Sequence, residues 1–124
     1  MSNNTFRSKK EITDKMPTRF YSSRQESQIA EAVNGKTTKN SGATMWQKGD
    51  ITTDNWLLEA KTCTKSQKQF TLKEEWFEKN KHESLFMGKQ YSAVVFNFGP
   101  DKPNYYIIDE LTFQEFLNYL KESQ

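Results

Sequence analysis

Ser41-Gly42-Ala43-Thr44-Met45-Trp46-Gln47-Lys48-Gly49-Asp50-Ile51-Thr52-Thr53-Asp54-Asn55-Trp56-Leu57-Leu58-Glu59-Ala60-Lys61-Thr62 is the stretch on which the reading of this chain turns. Gly49 leads into an acidic residue, a short apolar run follows, and that run ends in Glu59-Ala60-Lys61. As a strand, Trp56 to Thr62 alternates faces, so Leu57, Glu59 and Lys61 share one side while Trp56, Leu58 and Ala60 share the other. A carboxylate and a lysine so placed can hold a divalent cation and an activated water against one phosphate. Asp50, opening a neighbouring hairpin strand, would add a second carboxylate. Asp54 is an alternative, though it falls in or near the turn before the second strand.

Working outward, Ser23-Arg24-Gln25-Glu26 has the pattern of a capping box, and Ile29, Ala30 and Val33 follow at helical spacing until Gly35. Glu26 therefore has two readings, as the third member of that cap or as a carboxylate delivered to the Asp50 and Glu59 region. Residues 34–49 read as loop-rich, broken by a short strand at Ala43 to Trp46. They carry Lys36, Lys39 and Lys48 and no acidic residue, which makes them, with Arg24 and Lys65, the phosphate-contacting candidates.

Downstream, Thr71-Leu72-Lys73-Glu74 is a second capping box, and the helix it opens, anchored by Trp76 and Phe77, runs to about Phe86 and ends at Gly88. Tyr91 to Phe98 is a buried strand by its β-branched and aromatic content, and Asn104 to Asp109 pairs back on it after the Gly99 to Pro103 turn. Thr112-Phe113-Gln114-Glu115 caps a last helix with Phe113, Phe116, Leu117 and Leu120 at i, i+3, i+4 and i+7. The aromatic residues read mainly as core. The expected fold is α/β, a central mixed sheet flanked by helices in the order α-β-β-β-α-β-β-α.

With 124 residues the chain is read as one folded domain, 22–124, behind a flexible basic arm, 1–21. Net charge is only +2, yet residues 1–73 hold thirteen Lys/Arg against seven Asp/Glu, and residues 74–124 hold five against nine. Such asymmetry suits one basic face that meets a polyanion. One cysteine, Cys63, and one histidine, His82, exclude an intramolecular disulfide and a His/Cys zinc site, so any metal is expected to be oxygen-bound. Cys63 reads as a small packing residue and His82 as exposed. No leader or long apolar run is evident, and the expectation is a soluble intracellular protein without a membrane partner. No phosphate-binding G-x-x-x-x-G-K-[ST], no G-x-G-x-x-G, and no nucleophile beside a histidine supports nucleotide or triad chemistry.

Glu26, Ser41-Gly42, Gly49-Asp50 and Glu59-Ala60-Lys61, in this order of helix and strands, resemble the PD-(D/E)XK nuclease superfamily, and within it the small phage and archaeal Holliday-junction resolvases. Gly49 stands where the superfamily name has proline. The resemblance implies a restriction-endonuclease-like core and Mg²⁺, with Mn²⁺ able to substitute, held by Asp50, Glu59 and the backbone carbonyl of Ala60. It implies Glu26 as a third, water-mediated carboxylate, Lys61 beside the attacking water, and Ser41 near the scissile strand. It also implies branched DNA, such as a four-way junction, as substrate and a homodimer as the working form. Alternatives from the sequence are another nuclease of the superfamily acting on flaps, single strands or nicks, a non-catalytic DNA-binding module, and a protein-interaction domain. A Glu-x-Lys alone is weak, since roughly two such acid-x-base matches arise by chance in a chain this charged. Order and context carry the resemblance.

Overall fold

The computed structural model describes residues 18–38 and 50–124. Its elements are α1 (Thr18–Val33), β1 (Lys36–Thr38), β2 (Asp50–Thr52), β3 (Trp56–Lys61), α2 (Glu74–Phe86), β4 (Tyr91–Phe96), β5 (Tyr105–Ile107) and α3 (Glu110–Glu122). The five strands form one sheet in chain order. β1, β2 and β3 pair antiparallel, β3 and β4 pair parallel across the α2 connection, and β5 returns antiparallel to β4. This is an α/β architecture with an open mixed sheet flanked by helices.

β3 is the middle strand, and its sequence shows why. Leu57 and Leu58 point to opposite faces and both are buried, so each face of β3 needs a cover. On one face Leu58 meets Ile29 of α1 together with Ile51, Ala93 and Val95, with Trp56, Ala60, Val33 and Ile108 packed around them. On the other, Leu57 and Val94 are fully buried on the side where α2 lies. Each such aliphatic side chain contributes about 1.5–3 kcal/mol by leaving water.

Several boundaries differ from the sequence expectation, each for a local reason. α1 begins at Thr18, not Ser23, which places Ser23 inside a helix and takes 18–21 out of the expected arm. Pro17, just before it in sequence, suits a helix start because proline has no N–H to leave unsatisfied. At the other end Asn34 takes the left-handed φ of +56°. Gly35 is needed for space, since a Cβ there would lie 2.7 Å from the Thr52 carbonyl oxygen. β1 then forms inside the stretch read as loop. The expected strand at Ala43 to Trp46 lies outside the described residues.

The second helix starts at Glu74 after Lys73, with no side-chain cap, so Thr71 does not cap it. Glu74 and Glu75 in the first turn face the positive end of the helix dipole instead. Its C-terminus closes as read. Gly88 has φ +71°, and the Gly88 and Lys89 amides donate to the Leu85 and Ser84 carbonyls at 3.1 and 2.7 Å, the pairing of a Schellman turn. α3 is capped by Asp109, whose side chain accepts from the Thr112 amide at 2.8 Å; Thr112 itself lies within the first turn. The largest departure is the apolar stripe of α3. Phe113, Phe116, Leu117 and Leu120 are exposed, and no residue of this helix is buried.

Candidate functional site

Register brings Asp50 and Glu59 together. They are direct partners across the antiparallel β2–β3 pair, which sets their Cβ atoms about 5 Å apart on one face of the sheet. Both are buried, at 8% and 5% exposure. The β3 alternation then puts Lys61 on the same face, its Nζ 3.8 Å from Glu59 Oε1. The ammonium also sits 4.3 Å from the centre of the Trp76 ring, on α2. Lys61 is thus held between a carboxylate and an aromatic face, both of which attract a cation.

Two like charges placed opposite each other in a sheet repel, and burial strengthens the repulsion. Lys61 offsets part of it. The donors gathered here are hard oxygens, the set that Mg²⁺ or Ca²⁺ prefers over softer nitrogen and sulfur ligands. Thr38 secures the β2 end of the pair by donating from Oγ1 to the Asp50 carbonyl oxygen at 3.0 Å.

Glu26 is placed differently. α1 packs through Ile29 on the face of the sheet opposite to Asp50, Glu59 and Lys61. Glu26 is half-buried on that helix, and burial pushes its carboxyl group above the usual range. Among the described residues, no group of three or more His, Cys, Asp or Glu side chains is arranged to hold a metal ion. The structure therefore gathers two of the three expected carboxylates.

Gln25, beside Glu26, reaches the site in a way the sequence reading missed. It is buried, and its amide donates to the Lys61 carbonyl oxygen at 3.1 Å and to Asn104 Oδ1 at 3.2 Å. Its Oε1 accepts from Thr62 Oγ1 at 2.9 Å. Asn104 in turn accepts from Asn97 Nδ2 at 3.3 Å, and Asn97 Oδ1 accepts from the Gly99 amide. The network ties α1 to the end of β3 that carries Lys61. One signal was available in the sequence: Gln25 lies four residues before Ile29, so a polar residue occupies the buried stripe of a helix and needs partners there.

The remaining candidates scatter. Ala60 lies on β3 with its side chain toward the α1 face. Arg24 is exposed and forms an ion pair with Asp101. Lys36 lies on the outer strand β1, and Lys65 follows Cys63 in the loop after β3; both are exposed. Asp54 is exposed in the β2–β3 turn and His82 is exposed on α2, while Cys63 is buried. Ser41, Lys39 and Lys48 lie outside the described residues. No helix among the described residues is long and apolar enough to cross a membrane.

No protein-family model matches the chain, and no curated protein or solved structure matches it significantly.

Proposed function

We propose that the chain is a Mg²⁺-dependent endonuclease of the PD-(D/E)XK type that hydrolyses phosphodiester bonds in branched DNA, with a four-way junction as its substrate and a homodimer as its working form. One observation carries this reading: Asp50 and Glu59 pair across two strands with Lys61 on the same face. The α-β-β-β-α-β order, with parallel pairing of β3 and β4 across a helix, supports a restriction-endonuclease-like core.

The donor set fits a hard divalent cation, which Asp50, Glu59 and the Ala60 carbonyl would hold. When bound, the cation supplies charge stabilisation for the phosphorane-like transition state and the departing alkoxide. The protein's own groups do the rest. Asp50 and Glu59 concentrate negative charge that repels a phosphate backbone until it is neutralised. Lys61, steadied by Glu59 and Trp76, orients a water toward the phosphorus and offsets charge gathering on its oxygens. Gln25 positions Lys61 by gripping its carbonyl. Lys36 and Lys65 are candidates for backbone contacts, which fix register on DNA without reading sequence.

That α1 packs on the opposite face, and that no third carboxylate joins Asp50 and Glu59 among the described residues, favours a second reading, a non-catalytic DNA-binding module of the same fold. One experiment separates the two. A labelled four-way junction, linear duplex, flap and single strand are incubated with wild type or Asp50→Asn, with Mg²⁺ or EDTA. The nuclease reading expects paired nicks in the junction that need Mg²⁺ and fall at least ~100-fold in the variant. Cleavage of every substrate would discard junction preference. Tight junction binding by both proteins without any cleavage would establish the second reading instead.

A further inference from the structure

The most conspicuous feature outside the carboxylate site is α3. Two polar contacts tie it to the body: Glu115 accepts from the Tyr91 hydroxyl at 2.7 Å, and its cap Asp109 pairs with Lys81 at 3.5 Å. At 3.6 residues per turn, the stripe of Phe113, Phe116, Leu117 and Leu120 centres about 150° round the helix from Glu115. No part of the described chain closes over the stripe. Its residues are 50%, 52%, 48% and 43% exposed. A globular domain ordinarily covers such a face fully, so about half of each of these side chains is left for a partner to cover.

We infer that the Phe113, Phe116, Leu117 and Leu120 face of α3 is the contact between two copies of this chain, joined as an antiparallel helix pair about a two-fold axis. Three observations select a second copy. First, the spacing is self-complementary. The four positions are symmetric about the midpoint between Phe116 and Leu117, so an antiparallel copy sets Phe113 over Leu120 and Phe116 over Leu117, twice each, as an isologous contact requires. Second, the charges that flank the stripe are of opposite sign, Glu110 in the first turn and Lys121 in the last, which suits the same helix running the other way better than a uniformly charged surface. Antiparallel pairing brings Lys121 toward the first turn of the other helix, near Glu110, and sets the two helix dipoles head to tail.

Third, the area is sufficient. Half-exposed side chains of this size leave on the order of 350 Å² of apolar surface per copy, or about 700 Å² for a pair. Interface cores are about 65% apolar, so the whole contact comes to roughly 1,100 Å², just above the lower bound for a specific interface. Contacts at this low end of the size range are typically weak and transient. The inference stands on the apolar face alone and does not depend on the chemistry at Asp50 and Glu59.

The test is sedimentation of the full chain from about 1 to 100 μM, a range that brackets micromolar association. The expected result is a species of twice the 14.6 kDa chain mass at the upper end, and a monomer for Phe116→Glu with an unchanged far-ultraviolet circular dichroism spectrum. In a second measurement, a Phe113→Cys/Leu120→Cys variant is oxidised and should give a covalent dimer. The same substitutions at Leu111 and Asn118, equally spaced on the opposite side of the helix, should not. A wild type that stays monomeric throughout, a dimer unaffected by Phe116→Glu, or equal cross-linking at both pairs would each overturn the inference.

Discussion

Replacing Gln25 with methionine keeps the length and volume of the side chain and removes only its polar end. Gln25 makes three hydrogen bonds, to the Lys61 carbonyl, Asn104 and Thr62. A net intramolecular hydrogen bond is worth about 1 kcal/mol, and a buried carbonyl left without its donor costs about as much again. Asn104 keeps its bond from Asn97, so the orphaned acceptor that matters is the Lys61 carbonyl. The expected loss is about 4 kcal/mol, or roughly 15 °C in Tm for a domain of this length. Urea unfolding followed by circular dichroism measures it, with an unchanged m value as the sign that the folded state stays compact. Thr62→Val should cost about 1 kcal/mol alone, and the double variant should show coupling of about 1 kcal/mol because the two share one bond. A Gln25→Met cost below about 1 kcal/mol, or strict additivity with Thr62→Val, would refute the idea that this network fastens α1 to the end of β3.

Two further expectations concern pH and have opposite signs. Burial raises the Glu26 carboxyl, so its contribution to stability is fully present below the unfolded carboxylate range and is lost as pH rises through the folded value. Glu26→Gln should therefore be the more stable protein at pH 7, by less than ~1 kcal/mol because the group is half-exposed, and should match wild type in acid; thermal melts across pH check this. Asp109 is held low by its hydrogen bonds from Thr112 and then by the Lys81 charge, so its contribution is present above the unfolded carboxylate range and is lost as pH falls through the folded value. Asp109→Ala should cost about 1 kcal/mol near neutrality and nothing in strong acid, seen as a change in helical signal confined to the higher pH range.

The central strand and its neighbours were legible in the sequence because one-residue alternation leaves little freedom: once Leu58 is inside, Glu59 and Lys61 must share the other face. The Gly88 stop was legible for a similarly local reason. Helix starts were harder to read. Ser23 and Thr71 had the right chemistry for caps, but α1 extends back to Thr18 and α2 begins only at Glu74, so local capping preference yielded to tertiary placement. Glu26 was read by its order in the chain, which says nothing about which side of a sheet a helix will cover. Ile29 decides that, and it seats α1 on the face opposite to Asp50 and Glu59. Periodicity identified the α3 stripe correctly as one face of a helix. It could not say whether this chain or another would cover that face.

The parallel pairing of β3 and β4 has a consequence for synthesis. β2 and β3 are complete when Lys61 has been made, but the β4 edge that flanks β3 ends at Phe96. At 5–20 residues per second the ribosome takes about 2–7 s to supply it. During that interval Trp56, Leu57 and Leu58 lie along an open strand edge that other nascent chains could join. Glu59 and Lys61, the charged end of the same strand, make such an addition unfavourable. Replacing both with apolar residues would therefore lower the yield of soluble protein in a cell even where the finished fold tolerates them, because the harm is done before α2 and β4 arrive.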